Sequence, residues 1–188
     1  VLGGGTSINA QVYMRGRADD YNEWQEILRG NNDSIGWGWD DVFPYFKEME
    51  ENCRLNNEYH GTKGDLKVSD SSYVNELSHD FVKTVNKLGV PLINDFNGKE
   101  QKGVGLYQFM NNKGKRSSAA YAFIEPQKNN PNLTLKLRTK VQKIIIENNK
   151  AIGVEYINVN NEVFKQFANK EVILASGSFI TPKILMLS

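Results

Sequence analysis

The sequence predicts an α/β fold with an α+β insertion, because two kinds of pattern follow one another along the chain. Up to about residue 128, capped amphipathic helix patterns alternate with short strand patterns. From residue 129 onward, alternating apolar segments are separated by Asn-Asn turn signals, which is typical of a β-meander. An apolar strand and a final helix follow this meander.

Two amphipathic helices are predicted in the first fifty or so residues. Asp19 or Asp20 caps the first helix, Gly30 ends it, and its apolar stripe consists of Tyr21, Trp24 and Leu28. Asp40 caps the second helix and Pro44 is tolerated in its first turn. The residues expected to face inward from this helix are Phe43, Phe46, Met49 and Cys53.

The middle of the chain reads as α+β. A polar loop at residues 56–63 leads to a short strand at 66–68. A third helix ends at Gly89, and its apolar residues are Leu77, Phe81, Val85 and Leu88. A strand is expected within residues 104–109, and Ser117 or Ser118 caps a short helix that ends at Pro126.

The last third is predicted to be mainly strands. Alternation at residues 133–137 opens the meander, and its further strands are expected at 141–146, 151–156 and 163–167. The apolar run 172–174 predicts another strand. Thr181 as N-cap and Pro182 at the first helical position then start a helix.

Composition excludes several classes of protein. The 188 residues carry a formal net charge of +1, so no nucleic-acid partner is indicated, and no apolar run is long enough to predict a membrane span. A single cysteine, Cys53, excludes an internal disulfide and offers no metal framework. Two glycosylation sequons, at Asn32 and Asn132, would accept glycans only in a secreted protein.

The chain opens on a glycine-rich turn with the sequence VLGGGTSINA. Gly3, Gly4 and Gly5 can adopt positive φ and approach a flat ligand closely, while Thr6 and Asn9 add polar groups. Such a turn suits a nucleotide cofactor. A loop without any ligand is the alternative, since three glycines alone do not specify a phosphate site.

Two longer segments resemble a known family. Residues 1–22, VLGGGTSINAQVYMRGRADDYN, closely resemble the first signature of the glucose–methanol–choline (GMC) family of FAD-dependent alcohol oxidoreductases. Residues 177–188, GSFITPKILMLS, resemble its second signature, and the segments YHGTKG, DFNG and GKRSSAAYAFIEP between them are also similar. Within the family, the chain looks most like the insect glucose-dehydrogenase-like branch or bacterial choline dehydrogenases.

The resemblance implies FAD as cofactor and an alcohol as substrate, with a hydride passing to flavin N5. It implies that the glycine turn, Val1 and the run Asn9, Ala10, Gln11 and Val12 lie against the flavin and pyrophosphate, and that the backbone of Val141 holds the adenine. Ile8 stands where some members have a histidine that binds the flavin covalently, so a non-covalent cofactor is expected.

The resemblance also implies what this segment lacks. The family's G-x-G-x-x-G turn does not occur in it, and the family's active-site histidine follows the second signature. We therefore expect an internal piece of a longer enzyme, with no catalytic residue of its own. Residues 1–60 and 129–188 are expected to belong to a Rossmann-like FAD-binding domain, and 61–128 to a substrate-binding domain.

Several polar residues invite a functional interpretation but favour a structural one. Neither His60 in its loop nor His79, on the predicted solvent side of the third helix, is expected to be the general base. Arg116 could bind an anion with Ser117 and Ser118, although a capped helix is the favoured interpretation. The residues Arg15 and Arg17 could equally reach the cofactor or pair with Asp19 or Asp20.

Two other functions remain as alternatives. A non-catalytic remnant or binding protein would keep the GMC fold without the reaction. An NAD-dependent dehydrogenase is disfavoured, because the two flavin-family signatures would then be coincidental.

Overall fold

The computed structural model describes residues 1–30 and 36–188, so the Asn32 sequon lies outside the described residues. The chain forms two compact units, Val1–Lys128 and Asn129–Ser188. Both helices and strands occur in each unit, which is the mixed architecture that the sequence predicts.

The first unit contains three α-helices, α1 (Ala18–Gly30), α2 (Trp39–Met49) and α3 (Glu76–Lys87). Its strands are β1 (Glu50–Asn52), β2 (Leu66–Asp70), β3 (Gln108–Phe109), β4 (Asn111–Asn112) and β5 (Lys115–Arg116). A short 3-10 helix, Gly4–Ser7, precedes α1. A π-helical turn, Ala120–Ile124, and a 3-10 turn, Glu125–Gln127, end the unit.

A small mixed sheet organises this unit. Strand β2 pairs in parallel with β1 and antiparallel with β3, and β4 and β5 form a separate hairpin. The segment after the glycine turn extends the sheet beyond β3, because Tyr13 N donates to Gln108 O (2.9 Å) and Met110 N donates to Gln11 O (2.7 Å). The buried apolar core lies beside this sheet and consists of Tyr13, Leu66, Val68, Met110 and Ala122.

Aromatic side chains join α1 to α2. The Tyr21 ring lies 5.7 Å from the rings of both Trp39 and Phe46, centroid to centroid. Gln25 Oε1 accepts hydrogen bonds from the backbone N–H groups of Trp37 (2.6 Å) and Gly38 (3.2 Å). The predicted inward faces of both helices are therefore confirmed at Tyr21 and Phe46, whereas Trp24 of the predicted α1 stripe is 51% exposed.

The caps of these helices differ from the prediction. Helix α1 begins at Ala18, and Asp20 Oδ2 accepts from Arg17 N (2.7 Å). Helix α2 is capped by Gly38, whose N–H donates to Asp41 Oδ2 (3.2 Å). In both helices, the carboxylate of an aspartate in the first turn accepts a hydrogen bond from the backbone N–H of the residue just before the helix. A sequence rich in aspartate does not distinguish this position from the N-cap itself.

Other predicted positions in the first unit also change. Cys53 lies after β1 and is exposed, because α2 ends at Met49. Val104 makes only a single bridge, with Leu92, and the predicted strand is confined to β3. The short helix after Ser118 is π-helical, and Pro126 lies within the following 3-10 turn. The apolar stripe of α3 is exposed at Leu77, Phe81 and Leu88.

The second unit is an antiparallel meander with one helix. It comprises β6 (Lys140–Glu147), β7 (Lys150–Ile157), β8 (Val163–Phe167) and α4 (Gly177–Met186). Asn148 and Asn149 both have positive φ, 49° and 61°, as a tight type I′ hairpin requires. Ile144 of β6 and Ile184 of α4 are buried, and Ile144 N donates to Ser188 Oγ (2.8 Å).

Two strands predicted here are wrong. Neither 133–137 nor 172–174 is a strand, because an extended segment becomes one only when a neighbouring strand completes its hydrogen bonds. Helix α4 begins at Gly177, with Ser176 as N-cap, so Thr181 and Pro182 lie inside it. Thr181 Oγ1 accepts a hydrogen bond from Ser176 N (3.2 Å). Thr181 thus stabilises the start of the helix although it lies five residues after the N-cap.

Candidate functional site

The glycine turn has an open face and a closed face. Gly3 and Gly4 have positive φ, 85° and 55°. A Cβ on Gly3 would lie 2.5 Å from Ser7 Oγ and 3.0 Å from Ala120, so only glycine fits there. Among the residues that the structure describes, none has an atom within 4 Å of a Cβ placed on Gly4 or Gly5. The turn therefore packs through Gly3 and presents bare backbone at Gly4 and Gly5.

The polar side chains of the turn fix its shape. Thr6 Oγ1 accepts from Ala119 N (2.9 Å), and Ser7 Oγ donates to Leu2 O (2.7 Å). Asn9 Oδ1 accepts from Gln11 N (3.0 Å). These side-chain oxygens thus hold the backbone of the turn in its observed shape.

Arg116, which lies more than a hundred residues later in the sequence, hydrogen-bonds to the backbone of the same turn. Its Nη1 donates to Thr6 O (3.0 Å) and Asn9 O (2.8 Å). Ser117 Oγ accepts from Lys67 N (3.0 Å), and Ser118 Oγ accepts from Tyr121 N at the start of the π-helical turn (3.2 Å). These contacts match the structural interpretation of all three residues rather than an anion site.

Apolar side chains surround the open face of the turn. Val1 is 93% exposed and Ile8 75%, and Val12 is also exposed. Ala10, which follows Asn9, is exposed and adds only a methyl group. Such a wall, made of bare backbone and uncovered apolar side chains, is what a flat aromatic ligand would cover.

Gln11 carries an unusual backbone and an unpaired side-chain atom. Its φ is 65°, which is uncommon for a residue with a side chain. Among the described residues, its Oε1 is the buried side-chain polar atom that has no hydrogen-bond partner. A buried acceptor without a partner costs about 1–3 kcal/mol, so a hydrogen-bond donor on a bound group would relieve this cost.

Val141 belongs to the second unit. It lies on β6 opposite Tyr156, next to a register shift between Val141 and Lys143. It is partly buried. The other predicted cofactor residues all belong to the first unit, where the structure brings them together on one turn and the segment that follows it.

The sequence did not predict a buried ionic network in the first unit. Arg15 Nη2 donates to Glu50 Oε2, and the other Glu50 oxygen lies 2.8 Å from His60 Nδ1. His60 Nε2 lies 3.0 Å from Asp95 Oδ2. The side chains of Glu50 and His60 are fully buried and that of Arg15 nearly so. The resemblance of YHGTKG and DFNG to family segments was the available signal.

The network fixes the protonation of His60. Burial alone would lower the pKa of His60, but the hydrogen bonds and charges of Asp95 and Glu50 outweigh it and raise the pKa to about 9. Both ring nitrogens face carboxylates, so both must donate. Burial alone would raise the pKa values of Glu50 and Asp95, but hydrogen bonds from His60 and from Asn52 or Asn97, together with the positive charges of His60 and Arg15, outweigh it and lower both pKa values. His60 is therefore an imidazolium at neutral pH and cannot accept a proton as a base.

Two glycines allow the His60 loop to reach this position. A Cβ on Gly61 would lie 1.8 Å from Lys47 O, and a Cβ on Gly64 would lie 2.2 Å from the carbonyl carbon of Met49. The loop thus crosses the end of α2 with its backbone in direct contact. This explains the glycines of HGTKG by packing alone.

The other arginine and histidine raised by the sequence lie at the surface. Arg17 pairs with Asp19 (2.8 Å), and both side chains are well exposed. His79 is exposed on α3 and borders a cavity of about 710 Å³. The walls of this cavity include Tyr73, Val82, Leu92 and Phe109. Phe109 of β3 also forms a single antiparallel bridge with Val12.

The described part of the chain contains no group of three or more His, Cys, Asp or Glu side chains that could hold a metal ion.

Within residues 1–30 and 36–188, none of the helices is both long and apolar enough to cross a membrane.

Comparisons with known proteins identify relatives along the whole chain. An alcohol dehydrogenase [acceptor] from Pseudomonas putida is 41% identical over the full chain, which covers 33% of that protein. An oxygen-dependent choline dehydrogenase from Sinorhizobium fredii is 40% identical, with the same coverage. An FAD-dependent oxidoreductase from Chaetomium thermophilum superposes with a TM-score of 0.90 at 30% identity, over 100% of this chain and 34% of that one.

These matches confirm the predicted fold class, and the chain spans about a third of the length of the curated relatives it matches. The choline dehydrogenase match supports one of the two branches that the sequence suggested. The family implies FAD as the cofactor. The GMC oxidoreductase model matches residues 1–188, and the chain therefore belongs to the GMC oxidoreductase family.

Proposed function

We propose that this chain forms part of an FAD-dependent oxidoreductase that acts on the CH–OH group of an alcohol. One observation carries the proposal: an open glycine turn stands beside exposed apolar side chains and the buried, unpaired Oε1 of Gln11. The family match over residues 1–188 supports it, as do relatives named for alcohol and choline oxidation.

The residues of the first unit fit this cofactor by shape and by chemistry. Bare backbone at Gly4 and Gly5 gives the close approach that a pyrophosphate or a flat ring needs, while Val1 and Val12 supply an apolar wall. We call residues 9–12 the flavin-contact run. Within it, Ala10 leaves room, and the side-chain amide of Gln11 can bond a polar ring edge.

The second unit contributes separately to the proposal. Val141 lies beside an irregularity of β6 that leaves the ladder locally incomplete. We assign its backbone to the adenine, following the family resemblance. On the same basis, residues 1–60 and 129–188 are assigned to the FAD-binding domain and 61–128 to the substrate-binding domain.

When bound, FAD supplies a hydride acceptor, and the protein supplies binding, orientation and the exclusion of water. The described residues offer no candidate base for the alcohol. His60 is protonated and paired on both ring nitrogens, and His79 is exposed on α3. We propose that this chain binds and orients the cofactor, and that catalytic proton transfer is not performed by its residues.

We further propose that the cofactor is non-covalent. Ile8 is the exposed side chain of the turn at the position where some family members have a histidine, and an alkyl side chain cannot form a bond to flavin. Acid precipitation of the holoprotein should release all the yellow colour into the supernatant. Colour that remains in the washed pellet would contradict a non-covalent cofactor.

The experiment that tests the function uses the protein expressed from its complete gene. Purified protein should contain about one FAD, and an alcohol such as choline or a primary alkanol should bleach its visible absorption in the absence of oxygen. A protein that binds FAD but is reduced by no alcohol would favour a non-catalytic binding protein. A protein that binds no flavin would contradict the proposal entirely.

A further inference from the structure

The first unit encloses a charge-balanced network that the proposed reaction does not use. Arg15 and His60 carry the positive charges, while Glu50 and Asp95 carry the negative ones. Burying charges costs several kcal/mol for each ion unless they are paired and hydrogen-bonded. Replacing such a network by apolar side chains is often neutral or stabilising, so its presence invites a specific role.

The network holds the segment that directly follows the flavin-contact run. Arg15 N donates to Asn97 Oδ1 (2.7 Å), and Asn97 Nδ2 donates to Tyr13 O (3.0 Å). On the other edge, Tyr13 N donates to Gln108 O (2.9 Å). The backbone at residues 13–15 is thus fixed on both sides, and this segment begins directly after Val12.

His60 is the point at which two of these attachments meet. Through Glu50 it contacts the side chain of Arg15, and through Asp95 it contacts the turn that presents Asn97. Asp95 Oδ1 accepts from Asn97 N (2.9 Å), so the carboxylate that pairs with His60 also orders this turn. A change at His60 is therefore transmitted to the backbone at residues 13–15 by two routes.

We propose that His60 is a positioning residue, whose imidazolium acts through Glu50 and Asp95 to set the position of the flavin-contact run. This inference rests on the proposed function, because it assumes that residues 9–12 touch FAD. It goes beyond that function by assigning a role to a side chain that does not contact the cofactor. The distances to the carboxylates, 2.8 and 3.0 Å, require a donor on both sides of the ring.

The test compares three variants of the holoprotein expressed from its complete gene. His60→Gln removes the charge, and His60→Gln combined with Asp95→Asn restores the balance by leaving the Arg15–Glu50 pair. His79→Gln is the matched control, since this histidine is exposed on α3. The readouts are the Kd for FAD, from reconstitution of apoprotein, and the visible absorption and circular dichroism of the bound flavin.

We expect His60→Gln to raise the Kd for FAD by at least about tenfold, equivalent to about 1.4 kcal/mol, and to shift the flavin spectra. The double variant should recover most of the affinity and the wild-type spectra, and the His79 control should match wild type. The double variant keeps the test decisive if the single variant does not fold.

A lower Tm in His60→Gln with unchanged Kd and spectra would overturn the positioning role and leave only a structural one. A double variant that folds but keeps the single variant's defect would also overturn it, since charge balance would then be irrelevant. If the wild-type protein holds no flavin, the proposed function itself fails. The wild-type measurement therefore distinguishes failure of the proposed function from failure of the positioning role of His60.

Discussion

The glycine turn and the His60 network lie in the same unit, but they differ in whether their buried polar groups have hydrogen-bond partners within the protein. In the network, the fully buried side chains of Glu50 and His60 have hydrogen-bond partners within the protein. At the turn, Val1 and Ile8 are exposed, and the buried Oε1 of Gln11 has no partner. A folded interior satisfies its own polar groups, so the incomplete region is the one that indicates a ligand.

The glycines of the two regions also differ, in whether neighbouring atoms fill the space beside them. Gly61 and Gly64 are required because neighbouring backbone leaves no room for a side chain, whereas Gly4 and Gly5 face open space. One pair of glycines therefore serves packing within the protein. The other pair is free to meet a ligand, and substitution should separate the two roles.

The largest effect is expected for Gly61→Ala. The new methyl group would lie 1.8 Å from Lys47 O, and backbone cannot move aside as the end of a side chain can. We expect most of this protein to be recovered unfolded or insoluble, which circular dichroism and gel filtration would detect. Gly30→Ala is the control, since a Cβ there meets no atom of the described part of the chain within 4 Å. A well-folded Gly61→Ala protein would contradict the packing account.

A somewhat smaller effect is expected for Glu50→Ala. Removing Glu50 leaves the buried Arg15 without a counter-charge and leaves His60 paired with Asp95 alone, and breaking a buried ion pair typically costs about 3–5 kcal/mol. Chemical unfolding of the holoprotein measures this loss. Glu26→Ala breaks an exposed pair with Arg29 and should change stability by less than about 1 kcal/mol. Equal losses in the two variants would refute the network's importance.

The network also predicts how stability depends on pH. The pKa of His60 is raised from 6.5 to about 9, so its contribution is complete below pH 6.5 and is lost as the pH rises through 9. This difference corresponds to about 3 kcal/mol. The lowered pKa values of Glu50 and Asp95 give contributions that are present above their ordinary values of 4.5 and 3.8 and are lost on acidification.

Unfolding midpoints measured from pH 4 to 10 should therefore be highest between about 4.5 and 6.5 and should fall toward pH 9. In His60→Gln the alkaline part of this decline should be much shallower. A wild-type profile that is flat between pH 6.5 and 9 would show that His60 is not held as an imidazolium.

The local elements could be predicted from the sequence because their signals are local. The periodicity of α1, α2 and α3 identified them, and the Asn148–Asn149 turn identified the β6–β7 hairpin. Residues 133–137 and 172–174 have equally suitable strand patterns, yet a strand also needs a neighbour. The pattern of one segment contains no information about that neighbour.

The two regions of the site also differed in how far they could be predicted from the sequence. The glycine turn was found because its residues are consecutive. The network was missed because Arg15 reaches Glu50 and Asn97, which lie 35 and 82 residues away. Thr6 and Asn9 were predicted as ligand contacts, and the structure shows that their side-chain oxygens also hold the turn.

The most direct test of the central claim is the affinity for FAD of Gly5→Leu compared with Gly30→Leu. A Cβ on either glycine would meet no atom of residues 1–30 and 36–188 within 4 Å, but only Gly5 belongs to the proposed cofactor wall. We expect the Kd for FAD of Gly5→Leu to rise by at least about tenfold, with the Tm of the apoprotein unchanged, because leucine would occupy the ligand's place. Gly30→Leu should bind FAD like wild type. Equal, wild-type affinity in both variants would contradict the assignment of the glycine turn to the cofactor.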